Sequence, residues 1–196
     1  MNPLLRFAHG IDALNERVGR AAGWLVLAAV VISALNAVVR KAFNYSSNAF
    51  LEIQWYLFAG VFLLGAGYTL LRQEHVRIDV LLSKFSRRTQ VTVELFGFVF
   101  FLAPFVLLVL DLGVPYFLRG LQSGEMSSSS GGLIRWPVYL LIPVGFALLG
   151  LQGIAEFIKR LAFLMGRAPD PGSKTEGKTA EQELAEFLLA QREAAK

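Results

Sequence analysis

Read for where charge is missing, the chain divides into four apolar windows without Asp, Glu, Lys or Arg: 21–39, 53–71, 95–110 and 137–155. Three are 19 residues long and the third is 16. A helix rises about 1.5 Å per residue, so some 20 apolar residues cross a hydrocarbon core of about 30 Å. The third window reaches a comparable length if it runs back through Glu94 to Thr89, and spans are therefore expected at about 21–39, 53–71, 89–111 and 137–157. In the first, Leu25, Val26, Leu27, Val30, Val31 and Ile32 spread around the whole circumference. A helix of a soluble bundle would instead keep a polar stripe. The pattern predicts an all-α integral membrane protein with four transmembrane helices.

The flanks read differently. In residues 3–20, Leu4, Phe7, Ala8, Ile11, Leu14 and Val18 recur at spacings of three and four among Arg6, His9, Glu16, Arg17 and Arg20. This predicts an amphipathic interfacial helix over 1–20, lying on lipid or docking on a partner. The transmembrane domain then covers 21–165, with a Pro- and Gly-containing linker at 166–178 and a short amphipathic helix at 179–196 opened by Thr179 and Gln182. The run Ser127-Ser128-Ser129-Ser130-Gly131-Gly132 between the last two spans reads as a plain, flexible connector.

Composition and charge sharpen this picture. Of 196 residues, 55% are hydrophobic and 17% charged, with 19 Lys and Arg against 15 Asp and Glu. Fifteen basic residues fall in the N-terminal segment, the segment between the second and third spans, and the C-terminal segment. Only Arg40, Lys41, Arg119 and Arg135 fall on the other side. Because Lys and Arg concentrate on the cytoplasmic side, both termini are expected inside, and nucleic acid is not needed to explain the basic balance. The first span is expected to remain as an anchor, being too long for a signal peptide and lacking a small-x-small cleavage site.

Candidate chemistry is sparse. There is no Cys, and His9 and His75 both lie outside the spans, so thiolate sites and intramembrane haem ligation are excluded. No H-E-x-x-H, G-x-S-x-G or phosphate-loop pattern occurs, which argues against an enzyme and against any cofactor. The spans show little ionisable character at their centres, unlike those of an autonomous transporter. They do offer packing surface: Gly60, Gly65 and Gly67 in the second span, with Gly145, Gly150 and Gly153 in the fourth, allow close helix approach, either within this bundle or to a partner. Arg40 and Glu52 are expected to meet at one membrane face and close the first hairpin. Glu74, His75, Arg77 and Asp79 are expected to order the turn after the second span, where His75 and Asp79 would share a face if helical.

At these residues the chain resembles the DctQ-like small permease subunit of tripartite ATP-independent periplasmic (TRAP) transporters. The likeness rests on Arg40 followed by Phe43-Asn44, on Glu52, on Phe62-Leu63-Leu64-Gly65-Ala66, on Glu74-His75-Val76-Arg77-Ile78-Asp79-Val80-Leu81 and on Pro137-Val138-Tyr139. It covers about residues 20–160. The chain departs from the family pattern at Leu51, where a second acid is frequent, and at Gln73, where Gly is frequent. The resemblance implies a scaffold subunit in a bacterial inner membrane that does not itself carry substrate. It further implies a large DctM-like permease subunit, a periplasmic DctP-like binding protein, a sodium-type cation gradient and organic acid anions such as dicarboxylates or 2-oxo acids. Two alternatives stand beside it: a structural tetraspan protein, and a membrane enzyme using Glu94, Asp111 or Glu156.

Overall fold

The computed structural model describes residues 3–45, 47–73 and 85–170. Its helices are α1 (Pro3–Phe43), α2 (Asn48–Arg72), α3 (Arg87–Gly97), α4 (Ala103–Ser123) and α5 (Trp136–Leu164). A π-helical turn, Phe98–Leu102, joins α3 to α4 without interrupting the rod from Arg87 to Ser123. Four helical rods are thus long and apolar enough to span a membrane, and no strand occurs among the described residues. Glu74, His75, Arg77, Asp79 and the helix expected at 179–196 lie outside the described residues.

Local chemistry sets the ends. Ser47 caps α2 by accepting from the Ala49 N–H at 3.3 Å, and Ser86 caps α3 by accepting from the Thr89 N–H at 3.4 Å. Gln73 ends α2 in the left-handed region at φ 57°, its N–H donating to the Leu70 carbonyl at 3.2 Å. A Cβ is costly in that conformation, which a Gly would adopt without strain. Gly166 at φ 68° follows α5, and the Arg167 N–H returns to the Ala162 carbonyl at 2.9 Å.

Two boundaries differ from the sequence reading. Instead of an interfacial helix followed by a span, α1 is one helix of 41 residues, about 60 Å long. Nothing between Arg20 and Ala21 breaks it, since Gly19 and Gly23 are tolerated inside a helix that is packed. The helix that carries the third expected span continues past 111. It runs on to Ser123 through Leu112, Val114, Tyr116 and Leu118, and Pro115 sits inside it.

Helix α5 is the hub. A third of its most apolar 18 residues is buried, against 6% of the corresponding stretch of the α3–α4 rod, because α5 packs on α1, α2 and α4 whereas α4 is held mainly along one face by α5. Helices α1 and α2 pair antiparallel through small residues: Gly19 lies against Tyr68 and Gly67 against Asn15. A Cβ built on Gly60 would fall 3.0 Å from Leu25 Cδ1, and one on Gly145 would fall 2.6 Å from the Leu63 carbonyl oxygen. On the other flank, Cβ atoms built on Gly150 and Gly153 would fall 2.9 Å from Val106 and 2.7 Å from Leu102. Small residues where backbones nearly touch are how helices associate in lipid, where burial of apolar surface drives little. Gly65 differs, because a Cβ there meets open space.

Candidate functional site

Polar side chains gather at the two ends of the bundle, separated by a layer that is apolar apart from the outward Asp111 and is formed by Leu57–Ala66 of α2, Val99–Val114 across the π-turn and α4, and Leu140–Leu151 of α5. The end that holds the N-terminal part of α1 is the proximal end; the other, with the loop 124–135, is distal.

At the distal end, Asn48, Glu52 and Tyr56 follow one another at intervals of four and so line one face of α2. All three bind the loop. The Asn48 amide donates to the Ser130 carbonyl at 2.9 Å and the Tyr56 hydroxyl to the Ile134 carbonyl at 3.1 Å. The Glu52 carboxylate, 5% exposed, accepts from the Leu133 N–H at 2.6 Å and from the Ser127 hydroxyl. The loop is therefore no plain connector. It folds back on itself through Ser127 N–H to Leu133 carbonyl and Arg135 N–H to Glu125 carbonyl, both 2.9 Å. Gly131 takes φ 70°, and a Cβ on Gly132 would fall 2.8 Å from Glu52 Oε1. The expected Arg40–Glu52 contact is not made. Both Glu52 oxygens already accept from loop donors, while Arg40 stays exposed at the end of α1. Tyr139 donates to Glu125 at 3.1 Å and Arg135 pairs with the same carboxylate at 3.4 Å, closing the loop onto α5.

The proximal end carries a continuous ionic chain that links α3, α5 and α1. Arg160, 1% exposed, donates through Nε to Glu94 at 2.5 Å and through Nη1 to Glu156, and its guanidinium stacks 5.0 Å over the Phe98 ring. Lys159 continues the chain, 2.5 Å from Glu156 and 2.9 Å from Asp12. Gln152 donates to Asp12 at 2.8 Å and to Glu156 at 3.2 Å, and accepts from Asn15 at 2.9 Å. Helix α2 joins through Arg72, whose guanidinium lies 2.5 Å from Glu16. Burying charge is expensive, and it is tolerated here because each carboxylate faces a cation or an amide. Beneath the chain, Ala8, Ile11 and Ala155 form an apolar core.

What this arrangement does is hold helices in register. Glu94 and Glu156, considered above for enzyme chemistry, are both engaged by Arg160. Among the described residues no group of three or more His, Cys, Asp or Glu side chains is placed to hold a metal ion. Of the site residues expected from sequence, Glu52, Gly60 and Gly67 sit at helix contacts, whereas Arg40 and Gly65 face away from the bundle's own contacts. Sequence reading missed the proximal chain. The spacing of Gln152, Glu156 and Lys159–Arg160 on one helix was its visible signal, yet the partners on α1 and α3 lie far away in sequence.

No curated protein and no solved structure matches the chain with significance. A family model described as "Tripartite ATP-independent periplasmic transporters, DctQ component" matches residues 29–163, a stretch that takes in all of α2 to α4, most of α5 and the distal third of α1. With its four membrane-spanning helices and a match over more than half its length, the chain belongs to the DctQ family, the small membrane component of TRAP transporters.

Proposed function

We propose that this subunit transports nothing itself and serves as the fixed flank of a cation-coupled importer of organic acid anions. In this reading it sits in a bacterial inner membrane with the proximal end and both termini in the cytoplasm, beside a large permease subunit that is loaded by a periplasmic binding protein. The observation that carries the reading is the separation of its polar groups. The two ends are tied by hydrogen bonds and ion pairs, and the apolar layer between them offers an ion or an anion no polar path within this chain. Such a bundle is rigid at both faces and inert in the middle, as a base for a moving neighbour must be. The excess of basic residues at the proximal end supports the orientation.

Purification of the tagged chain in mild detergent from its own membranes is expected to bring down one much larger multi-span protein. Proteoliposomes are expected to take up an organic acid anion only when both proteins and the binding protein are present. Robust uptake by this chain alone would overturn the reading.

A further inference from the structure

The continuation of helix α4 to Ser123 changes the standing of Asp111. Helix α4 meets α5 through Val106, Gly113 and Gly120, where Cβ atoms on the glycines would fall 3.2 Å from Ile142 and 2.5 Å from Tyr139. At about 100° per residue, Asp111 lies roughly opposite these contacts. It is exposed, and it makes no hydrogen bond or ion pair among the described residues. Along the same outer stripe stand Pro104, Leu107, Val114 and Leu118, all exposed and apolar.

Depth makes this carboxylate unusual. The Tyr116 and Tyr139 rings lie 4.4 Å apart, and Tyr139 bonds Glu125 of the distal loop, so this pair marks the distal edge of the apolar layer. Asp111 is five residues deeper, about 7.5 Å along the helix. Its Cα–Cβ bond tilts toward the helix N-terminus, which is away from the nearer surface, and an aspartate is too short to snorkel back. The backbone adds a second acceptor. Pro115, four residues on, has no N–H to give the Asp111 carbonyl. One point on a lipid-depth surface thus presents an exposed carboxylate and, beside it, a backbone carbonyl that lacks its usual i+4 donor.

We propose that this α4 face is the docking surface for a membrane-spanning helix of the large permease subunit, which brings a Lys or Arg side chain to Asp111. The inference rests on the subunit reading above. Acyl chains carry no donor, so a lipid-facing Asp111 would stay uncompensated. A second copy of this chain joined about a twofold axis through this face would set Asp111 against Asp111. A helix carrying a cation satisfies the carboxylate while its apolar neighbours pack on Leu107, Val114 and Leu118.

The test uses the intact complex. Photo-crosslinking groups placed at Leu107 and Leu118 are expected to capture the large subunit. Asp111→Leu is expected to lower the large subunit recovered by at least about tenfold, because it strands the partner's cation. The same substitution leaves the free small subunit as thermostable as before, which separates lost docking from lost folding. Unchanged recovery with Asp111→Leu, or crosslinks confined to lipid or to a second copy, overturns the inference while leaving the subunit reading intact. If the unaltered chain recovers no large subunit, both fail.

Discussion

Replacing Arg160 by Met is expected to lower the thermal unfolding midpoint of the purified chain in detergent by on the order of 10 °C. Arg160 touches both Glu94 and Glu156 and is 1% exposed. Its loss takes a buried cation from Glu94 and leaves Glu156 to Lys159 and Gln152, and breaking a buried pair typically costs about 3–5 kcal/mol. Arg160→Lys keeps the charge, but one ammonium cannot reproduce the two-pronged contact or stack as well on Phe98, so an intermediate loss is expected. Removing the carboxylate charges as well, as Arg160→Met with Glu94→Gln and Glu156→Gln, is expected to restore most of the midpoint. A midpoint unchanged in Arg160→Met would mean that the ionic chain does not hold α3 to α5.

The glycines of α2 give the second large effect, and it comes as a contrast. Gly67→Leu puts a side chain where Asn15 Oδ1 already lies and where a Cβ would fall 3.2 Å from the Leu148 backbone carbonyl. Backbone cannot swing aside as a flexible side chain can, so overpacking of about 1–3 kcal/mol or more is expected, with α1, α2 and α5 forced apart. Gly65→Leu enters open space and removes a helix-interior glycine, so the isolated chain is expected to be unaffected or slightly more stable. Unfolding curves of the two variants, recorded side by side, check the pair. Equal destabilisation would show that the close contact at Gly67 does not decide the outcome.

These residues also show how far sequence carries in such a protein. Apolar windows locate the hydrocarbon crossings because lipid admits no charge without compensation, and α2 and α5 appear almost where the windows place them. The third helix is longer than its window for the same reason. Asp111 halts a count that excludes charge, yet neighbouring turns continue the helix to Ser123. The tertiary pairings were largely hidden. Glu52 meets Ser127 and Leu133 some 80 residues away, and Asn15 meets Gln152 across the bundle, contacts set by how each helix is rotated against the next. The interval of four that joins Asn48, Glu52 and Tyr56 was visible in sequence, but nothing local said that a serine-rich loop would fold onto that face. Periodicity at the N-terminus was real too. Ala8, Ile11 and Asn15 do form a stripe, buried within the chain itself, while Leu4, Phe7 and Leu14 remain for lipid or a partner.

A base must hold its shape while its neighbour moves, and the chain allows this to be measured directly because it contains no cysteine of its own. Ile11 of α1 and Ala155 of α5 pack in the same core at the proximal end. With Ile11→Cys and Ala155→Cys introduced together, a disulfide can lock α1 to α5 in the assembled transporter. Uptake in proteoliposomes is expected to be the same before and after oxidation. Uptake that collapses on oxidation and returns on reduction would show that this subunit itself changes shape during transport, and would contradict its role as a fixed base.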